Sequence, residues 1–315
     1  MYAIKRLFYL AGAKTAKEKR MKNTVFTGVA TAIITPMFED GSIDYASFGR
    51  LIEWQIEKGI DAIVAVGTTG EGSTLSDEEH REALKFCVDK VSGRVPVIAG
   101  TGSNDIGYAV DLTKFACDIG ADAMLLVTPY YNKATQSGLI TSFAKIADAS
   151  TRPCILYNVP GRTGCNLLPS SVLALADHPN IVAVKEASGN ISQIAQIASL
   201  CGDKIDIYSG NDDQIVPVLS LGGKGVISVL SNIMPEKTCE ICNKWFAGNT
   251  KEAARIQLEL LPLINQLFIE VNPIPVKAAC AAMGFGANSL RLPLTPMEKA
   301  HESVLLKLMK AQKLI

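Results

Sequence analysis

Residues 181–189 read IVAVKEASG. Four apolar residues, three of them β-branched, lead straight into Lys185. Such a run is the pattern of a strand buried on both faces, as in a parallel sheet. Lysine is rarely buried without a partner. An amine held at the end of an apolar strand loses hydration, and desolvation disfavours its charged form. A desolvated lysine is a recurring nucleophile towards carbonyl carbon through a Schiff base. The plainer reading is a lysine that extends its head out of the strand end into water. The stretch alone leaves both open.

Outward from this stretch, the same unit recurs. A short apolar run is followed by a turn with Gly, Thr, Pro or Asn, and then by apolar residues at helical spacing. The expected strands are 29–34, 62–66, 95–99, 123–127, 154–157, 181–185, 205–209 and 225–229. The expected helices between them are 45–58, 77–91, 105–119, 137–149, 170–176, 191–201 and 212–221. Ser76 with Glu79 spells a capping box, and Asn104, Asn190 and Asn211 are expected N-caps. Eight strand–helix repeats predict an α/β fold, a closed (β/α)8 TIM barrel. A doubly wound sheet usually has fewer strands and carries a Gly-rich dinucleotide fingerprint, and no G-x-G-x-x-G follows the first strand. Helical patterns at 235–247, 251–268, 275–283 and 296–311 predict the last barrel helix and a C-terminal helical extension. The expected division is a leader over 1–24, a barrel over 25–247 and a helical region over 248–315.

Composition narrows the function. The 315 residues carry 31 Lys+Arg against 31 Asp+Glu, so there is no electrostatic case for nucleic acid. Hydrophobic residues at 48% and charged residues at 20% are those of an ordinary globular protein, and no uncharged apolar run reaches the length of a membrane span. The eight cysteines are scattered through expected strands and helices, which suits buried thiols in a reducing compartment. Cys239 and Cys242 form one C-x-x-C without a second pair or a nearby histidine, so no metal site is expected. The leader is basic, with Lys5, Arg6, Lys14, Lys17, Lys19, Arg20 and Lys22 against Glu18. Its apolar patch 7–11 is short for a signal peptide, and Met21 offers an alternative start.

Barrel enzymes place their chemistry at the C-terminal ends of the strands. Strand two ends in Gly67-Thr68-Thr69-Gly70-Glu71-Gly72, a turn able to present N–H groups to a small anion. It lacks the lysine of a phosphate loop, so a carboxylate fits better; a simple tight turn explains the spacing equally well. Strand four ends in Thr128-Pro129-Tyr130-Tyr131-Asn132, and strand five in Tyr157-Asn158-Val159-Pro160-Gly161-Arg162. Tyrosine hydroxyls can carry protons, although rim packing also uses tyrosine. Arg162 could grip a carboxylate with its planar fork, or lie on the surface. Gly210 after strand seven and Ile227 in strand eight would allow close approach of a small ligand. His80, His178 and His301 assemble neither a Ser-His-Asp set nor a metal cluster. One amine, several hydroxyls and carboxylate grips suit an enzyme that binds a keto acid as an imine.

GTTGE at 67–71, TPYYN at 128–132, YNVPGRTG at 157–164 and VKEASGN at 184–190 together closely resemble the dihydrodipicolinate synthase family. NPIPVK at 272–277 and LRLPLTP at 290–296 extend the match from about Phe26 to the C-terminal helices. The resemblance implies condensation of pyruvate with L-aspartate 4-semialdehyde in lysine biosynthesis, in a cytoplasmic homotetramer built as a dimer of dimers, with no cofactor and no metal. Lys185 matches the Schiff-base lysine. Tyr157 matches the proton-shuttling tyrosine, with Thr68 and Tyr131 as its relay. Tyr131 matches a residue that reaches across a dimer interface. Thr69 matches the threonine that holds the pyruvate carboxylate, Ile227 a backbone contact to pyruvate, and Arg162 the arginine that receives the second substrate's carboxylate.

Many members are inhibited by lysine, and Ser73, Asp77, Asn104, Tyr108 and Tyr130 fall on that effector site. Sensitive bacterial members usually carry glutamate where this chain has Tyr108, so weak or absent lysine inhibition is expected. The nearest rival reading is another pyruvate lyase of the superfamily, such as N-acetylneuraminate lyase or a keto-deoxy sugar-acid aldolase. Arg162 and the Tyr130-Tyr131 pair argue against it. A third reading is a barrel without activity kept for ligand binding, in which the relay residues would be free to drift.

Overall fold

The computed structural model describes residues 23–315, so the basic leader lies outside the described residues, apart from Asn23 and Thr24. Eight strands follow one another around a closed barrel: β1 (Gly28–Ala32), β2 (Ala62–Ala65), β3 (Val97–Gly100), β4 (Ala123–Val127), β5 (Cys154–Asn158), β6 (Ile181–Glu186), β7 (Asp206–Ser209) and β8 (Gly225–Ser228). Every neighbouring pair is parallel, and β8 closes on β1. The helices that return the chain are α1 (Tyr45–Glu57), α2 (Asp77–Val91), α3 (Ile106–Asp118), α4 (Gln136–Asp148), α5 (Pro169–Leu175), α6 (Ile191–Cys201), α7 (Ile215–Ser220) and α8 (Pro235–Phe246). Three more follow: α9 (Thr250–Gln266), α10 (Ile274–Ala282) and α11 (Lys299–Ala311). Among the described residues no helix is long and apolar enough to cross a membrane.

Two apolar cores explain the continuous hydrophobic strands. In β6, Ile181 and Val184 join the layer between sheet and helices, whereas Val182 and Ala183 fill the barrel interior. At the N-terminal end, Phe26 stacks on Tyr208 with centroids 4.2 Å apart, and the Tyr208 hydroxyl donates to the Phe26 carbonyl at 2.7 Å. Asp61 accepts from the Val29 N–H and Asp122 from the Val97 N–H, each at 2.8 Å, pinning one strand to the next.

The expected helix starts hold in part. Ser76 and Glu79 form the capping box, and Asn190 caps α6 through the Gln193 N–H. The cap of α3 is Asp105 rather than Asn104, because Asp105 reaches the Gly107 and Tyr108 N–H groups while Asn104 bonds across to the loop after β4. Asn211 makes no side-chain cap; a 3-10 turn over Asp212–Gln214 intervenes before α7.

The C-terminal segment is fastened to the loop after β2. Glu71 and Lys277 form an ion pair with both side chains 1% exposed, and Glu71 also accepts from the Arg291 N–H at 3.1 Å. The Arg291 guanidinium grips both oxygens of Glu79 and the carbonyls of Gly41 and Thr74. Removing one partner of a buried pair strands the other charge. Lys277→Met should therefore lower stability by about 3–5 kcal/mol in urea unfolding. The double variant Glu71→Leu/Lys277→Met should lose less, because no lone charge remains.

Candidate active site

Lys185 lies in β6 and pairs in register with Tyr157 of β5. Both are 6% exposed, and the Lys185 Nζ sits 4.3 Å from the centroid of the Tyr157 ring. Among the described residues Lys185 makes no ion pair, so this amine is removed from water with no carboxylate in direct contact. The next residue, Glu186, is also buried and is locked by donors. It accepts from Asn158 Nδ2 at 3.1 Å to each oxygen, from Gln193 Nε2 at 3.0 Å and from the Ser188 N–H at 2.8 Å. Asn158 pairs with Glu186 in the same register that pairs Tyr157 with Lys185. This network fixes the ends of β5 and β6 where the amine and the phenol meet.

Buried Asp212 accepts from the Val229 and Leu230 N–H groups at 3.0 and 2.9 Å and so ties the β7 loop to the end of β8. Burial pushes its carboxyl upward; the Ser228 hydroxyl, those N–H groups and the charge of Lys185 pull down without cancelling it.

The turn after β2 is strained and crowded. Val66 and Glu71 have φ of 53° and 57°, and left-handed backbone is a genuine outlier for a β-branched residue. A Cβ on Gly72 would come within 2.6 Å of the Val66 carbonyl oxygen, and one on Gly100 within 2.5 Å. Glycine at these positions lets the turn fold back on β2 and lie against β3. The turn closes through Glu71 N–H to the Thr68 carbonyl and Gly72 N–H to the Gly67 carbonyl, at 3.1 and 3.2 Å. The N–H groups of Thr68, Thr69 and Gly70 make no hydrogen bond among the described residues, which leaves three donors for an anion. The Thr69 hydroxyl accepts from Asn272 Nδ2 at 3.0 Å, and the Asn272 carbonyl accepts from Arg162 Nη2 at 3.0 Å.

A cavity of about 790 Å³ opens over this end of the barrel. Its wall brings together Thr68, Tyr130, Tyr131, Tyr157 and Arg162 with Ser73, Asp77 and Tyr108. Lys185, Thr69, Asn104, Gly210 and Ile227 are not in that wall; Lys185 adjoins it through the Tyr157 ring. Ile227 is fully buried in the barrel interior. A Cβ on Gly210 would meet the Ala187 Cβ at 2.5 Å, so this glycine lets the loops after β6 and β7 pack closely. Tyr131 lines the cavity yet is 93% exposed, at φ 65°. Arg162 rides on the helical turn Pro160–Thr163.

Four effector candidates, Ser73, Asp77, Tyr108 and Tyr130, line the same cavity, and Asn104 supports it. Asn104 accepts from the Tyr130 N–H at 3.1 Å and donates to Asn132 at 2.8 Å, bracing the tyrosine loop. Burial and a hydrogen bond to Asp77 push the Tyr108 hydroxyl up to about 12. Asp77 is already gripped by Arg81 Nε at 2.9 and 3.0 Å, and Arg81 also bonds Asp111.

No group of three metal-ligating side chains occurs among the described residues. The Cys239 and Cys242 thiols point at the Gly59 and Gly28 carbonyls, and burial pushes Cys239 up to about 12. His80 was set aside on sequence grounds, yet it lines the cavity, with Nε2 2.9 Å from the Gly100 carbonyl oxygen. Burial holds its imidazole below the usual range. Asn272 was legible only as part of an apolar motif without a role.

The model of the dihydrodipicolinate synthetase family matches residues 25–312. The 4-hydroxy-tetrahydrodipicolinate synthase of Clostridium perfringens strain 13 is 53% identical over 92% of this chain and 100% of its own length. That of Acetivibrio thermocellus is 54% identical over 94% of this chain and 100% of its own. The chloride-inhibited dihydrodipicolinate synthase of Acinetobacter baumannii, solved in complex with pyruvate, superposes with a TM-score of 0.90 at 44% identity, covering 93% of this chain and 100% of that one.

The close approach at Gly72 yields a direct test. Gly72→Ala must push the turn off Val66 and carry Thr68 and Thr69 with it. Its kcat/KM should fall by about 10²-fold in steady-state assay, the scale of a 1 Å misplacement.

Proposed function

This chain belongs to the dihydrodipicolinate synthetase family, and from that premise we propose how its own residues carry the reaction. The reaction is the condensation of pyruvate with L-aspartate 4-semialdehyde to 4-hydroxy-tetrahydrodipicolinate, a step towards diaminopimelate and lysine. The observation that carries the assignment is the Lys185 amine, buried at the end of β6 over Tyr157 with no carboxylate partner among the described residues. It lies at the same end of the barrel as a turn whose N–H groups await an anion.

The pyruvate carboxylate rests on the turn after β2, held by the Thr69 hydroxyl and free N–H groups, with the backbone near Gly210 and Ile227 alongside the methyl end. The Lys185 nitrogen attacks the ketone carbon. The C–N bond forms, the carbonyl electrons move to oxygen, and that oxygen leaves as water once protonated. Tyr157 delivers and recovers the protons, with Thr68 and a tyrosine from a second copy as its relay. Loss of a methyl proton gives the enamine, whose carbon attacks the aldehyde of the second substrate. Arg162 at the cavity wall receives that substrate's carboxylate. The substrate's own amine then attacks the iminium carbon, closes the ring and releases Lys185. One water is lost overall, and no electron leaves the substrates.

The boundaries that fit this reading are a barrel over 25–247 and a helical region over 248–315. The reading also includes a cytoplasmic homotetramer built as a dimer of dimers. The exposure of Tyr131 supports a second copy, because a phenol left uncovered at the cavity wall is available to a neighbouring barrel. Lys185→Ala and Tyr131→Phe protomers should each be nearly inactive alone. Mixed and reassembled, they should regain a substantial fraction of activity, since one mixed site then holds both groups; no recovery would contradict a shared site.

The effector residues Ser73, Asp77, Asn104, Tyr108 and Tyr130 make a poor lysine site. A bound lysine needs a free carboxylate for its amine, and Asp77 is occupied by Arg81 and Tyr108. Free lysine should inhibit weakly or not at all, and a low-micromolar inhibition constant would prove this wrong.

A further inference from the structure

One buried residue touches both groups assigned to hold substrate carboxylates. Asn272, 5% exposed, lies just ahead of α10. Its side-chain Nδ2 donates to the Thr69 hydroxyl at 3.0 Å, and its backbone carbonyl accepts from Arg162 Nη2 at 3.0 Å. A hydroxyl has one proton to give and lone pairs to receive with. When Nδ2–H occupies a lone pair of Thr69, the threonine proton is left to point elsewhere. The turn's free N–H groups mark where an anion would sit, and a proton aimed there completes the grip. Asn272 Oδ1 has no partner among the described residues. An unpaired buried acceptor is a cost that a residue placed for stability alone would not carry.

We propose that Asn272 is a positioning residue, whose amide N–H orients the Thr69 hydroxyl towards the pyruvate carboxylate while its carbonyl steadies Arg162. The inference rests on the reading of Thr69 given above. Only the first of the two contacts belongs to the side chain, so the two substrates respond differently to its replacement. Asn272→Ala removes the N–H donor. Asn272→Asp keeps the shape and offers an acceptor instead, so the threonine proton turns inward.

The test is steady-state kinetics with both substrates varied, on N272A, N272D, T69V and each double variant with T69V. N272A and T69V should each raise the KM for pyruvate about tenfold, the scale of one lost hydrogen bond. N272D should raise it further, and all should leave the KM for the second substrate within about threefold, because the Arg162 contact is to main chain. In the T69V background the Asn272 variants should add nothing. An equal rise for both substrates, or an undiminished effect without the Thr69 hydroxyl, overturns the proposal. A clear effect of T69V with silent Asn272 variants overturns the proposal alone. A silent T69V overturns the reading of Thr69, and the proposal with it. N272D, being isosteric, keeps the test valid if N272A folds poorly.

Discussion

A lysine amine withdrawn from water, with no carboxylate assigned to it, is the condition on which this structure turns. Burying a cation unpaired is costly, and proteins ordinarily avoid it by pairing or by letting the stem reach solvent. Here β6 buries Lys185 at its end, and the group facing its Nζ is an aromatic ring. Of the nearby carboxylates, Glu186 is committed to side-chain and backbone amides, and Asp212 binds the backbone of the β8 end through Oδ2 and meets Lys185 only as a charge beyond ion-pair distance. The arrangement makes sense where the amine has chemistry to do and poor sense as packing.

That condition needs rigid support, and the chain supplies it from a distance. The Asn158–Glu186–Gln193 network fixes β5 and β6 on their outward side, while Tyr157 and Lys185 meet inside. The turn after β2 holds two residues in left-handed backbone, a state that persists only when its surroundings over-determine it. Those surroundings come from the C-terminal segment: Lys277 and the Arg291 N–H hold Glu71, and Asn272 holds Thr69. The helical extension is thus part of the machinery that keeps the turn in shape.

Much of this was legible in the chain. Eight apolar runs broken by helical patterns could hardly be anything but a barrel, and each expected strand is present within a few residues. The residues at the strand ends were legible because a barrel puts chemistry there. What was hidden depends on distance along the chain. The Lys277–Glu71 and Asn272–Thr69 bonds span 206 and 203 residues, and no periodicity reports such pairs. Asn104 looked like a cap because Asn favours that position, but Asp105 alongside it takes the role and leaves Asn104 to brace Tyr130. Gly210 reads from sequence as close approach for a ligand, and its contact with Ala187 of the neighbouring loop is a packing reason that spacing does not report. The meeting of Ser73, Asp77, Tyr108 and Tyr130 with Thr68, Tyr157 and Arg162 in one cavity is a matter of loop shape, which residue types do not specify.

The central claim is that the Lys185 nitrogen bonds to the ketone carbon of pyruvate. Borohydride reduction in the presence of pyruvate, followed by proteolysis and mass spectrometry, tests it most directly. The account predicts one reduced pyruvate per chain, on the peptide that carries Lys185 and on no other. An unmodified Lys185 peptide, or an adduct on a different lysine, would contradict it.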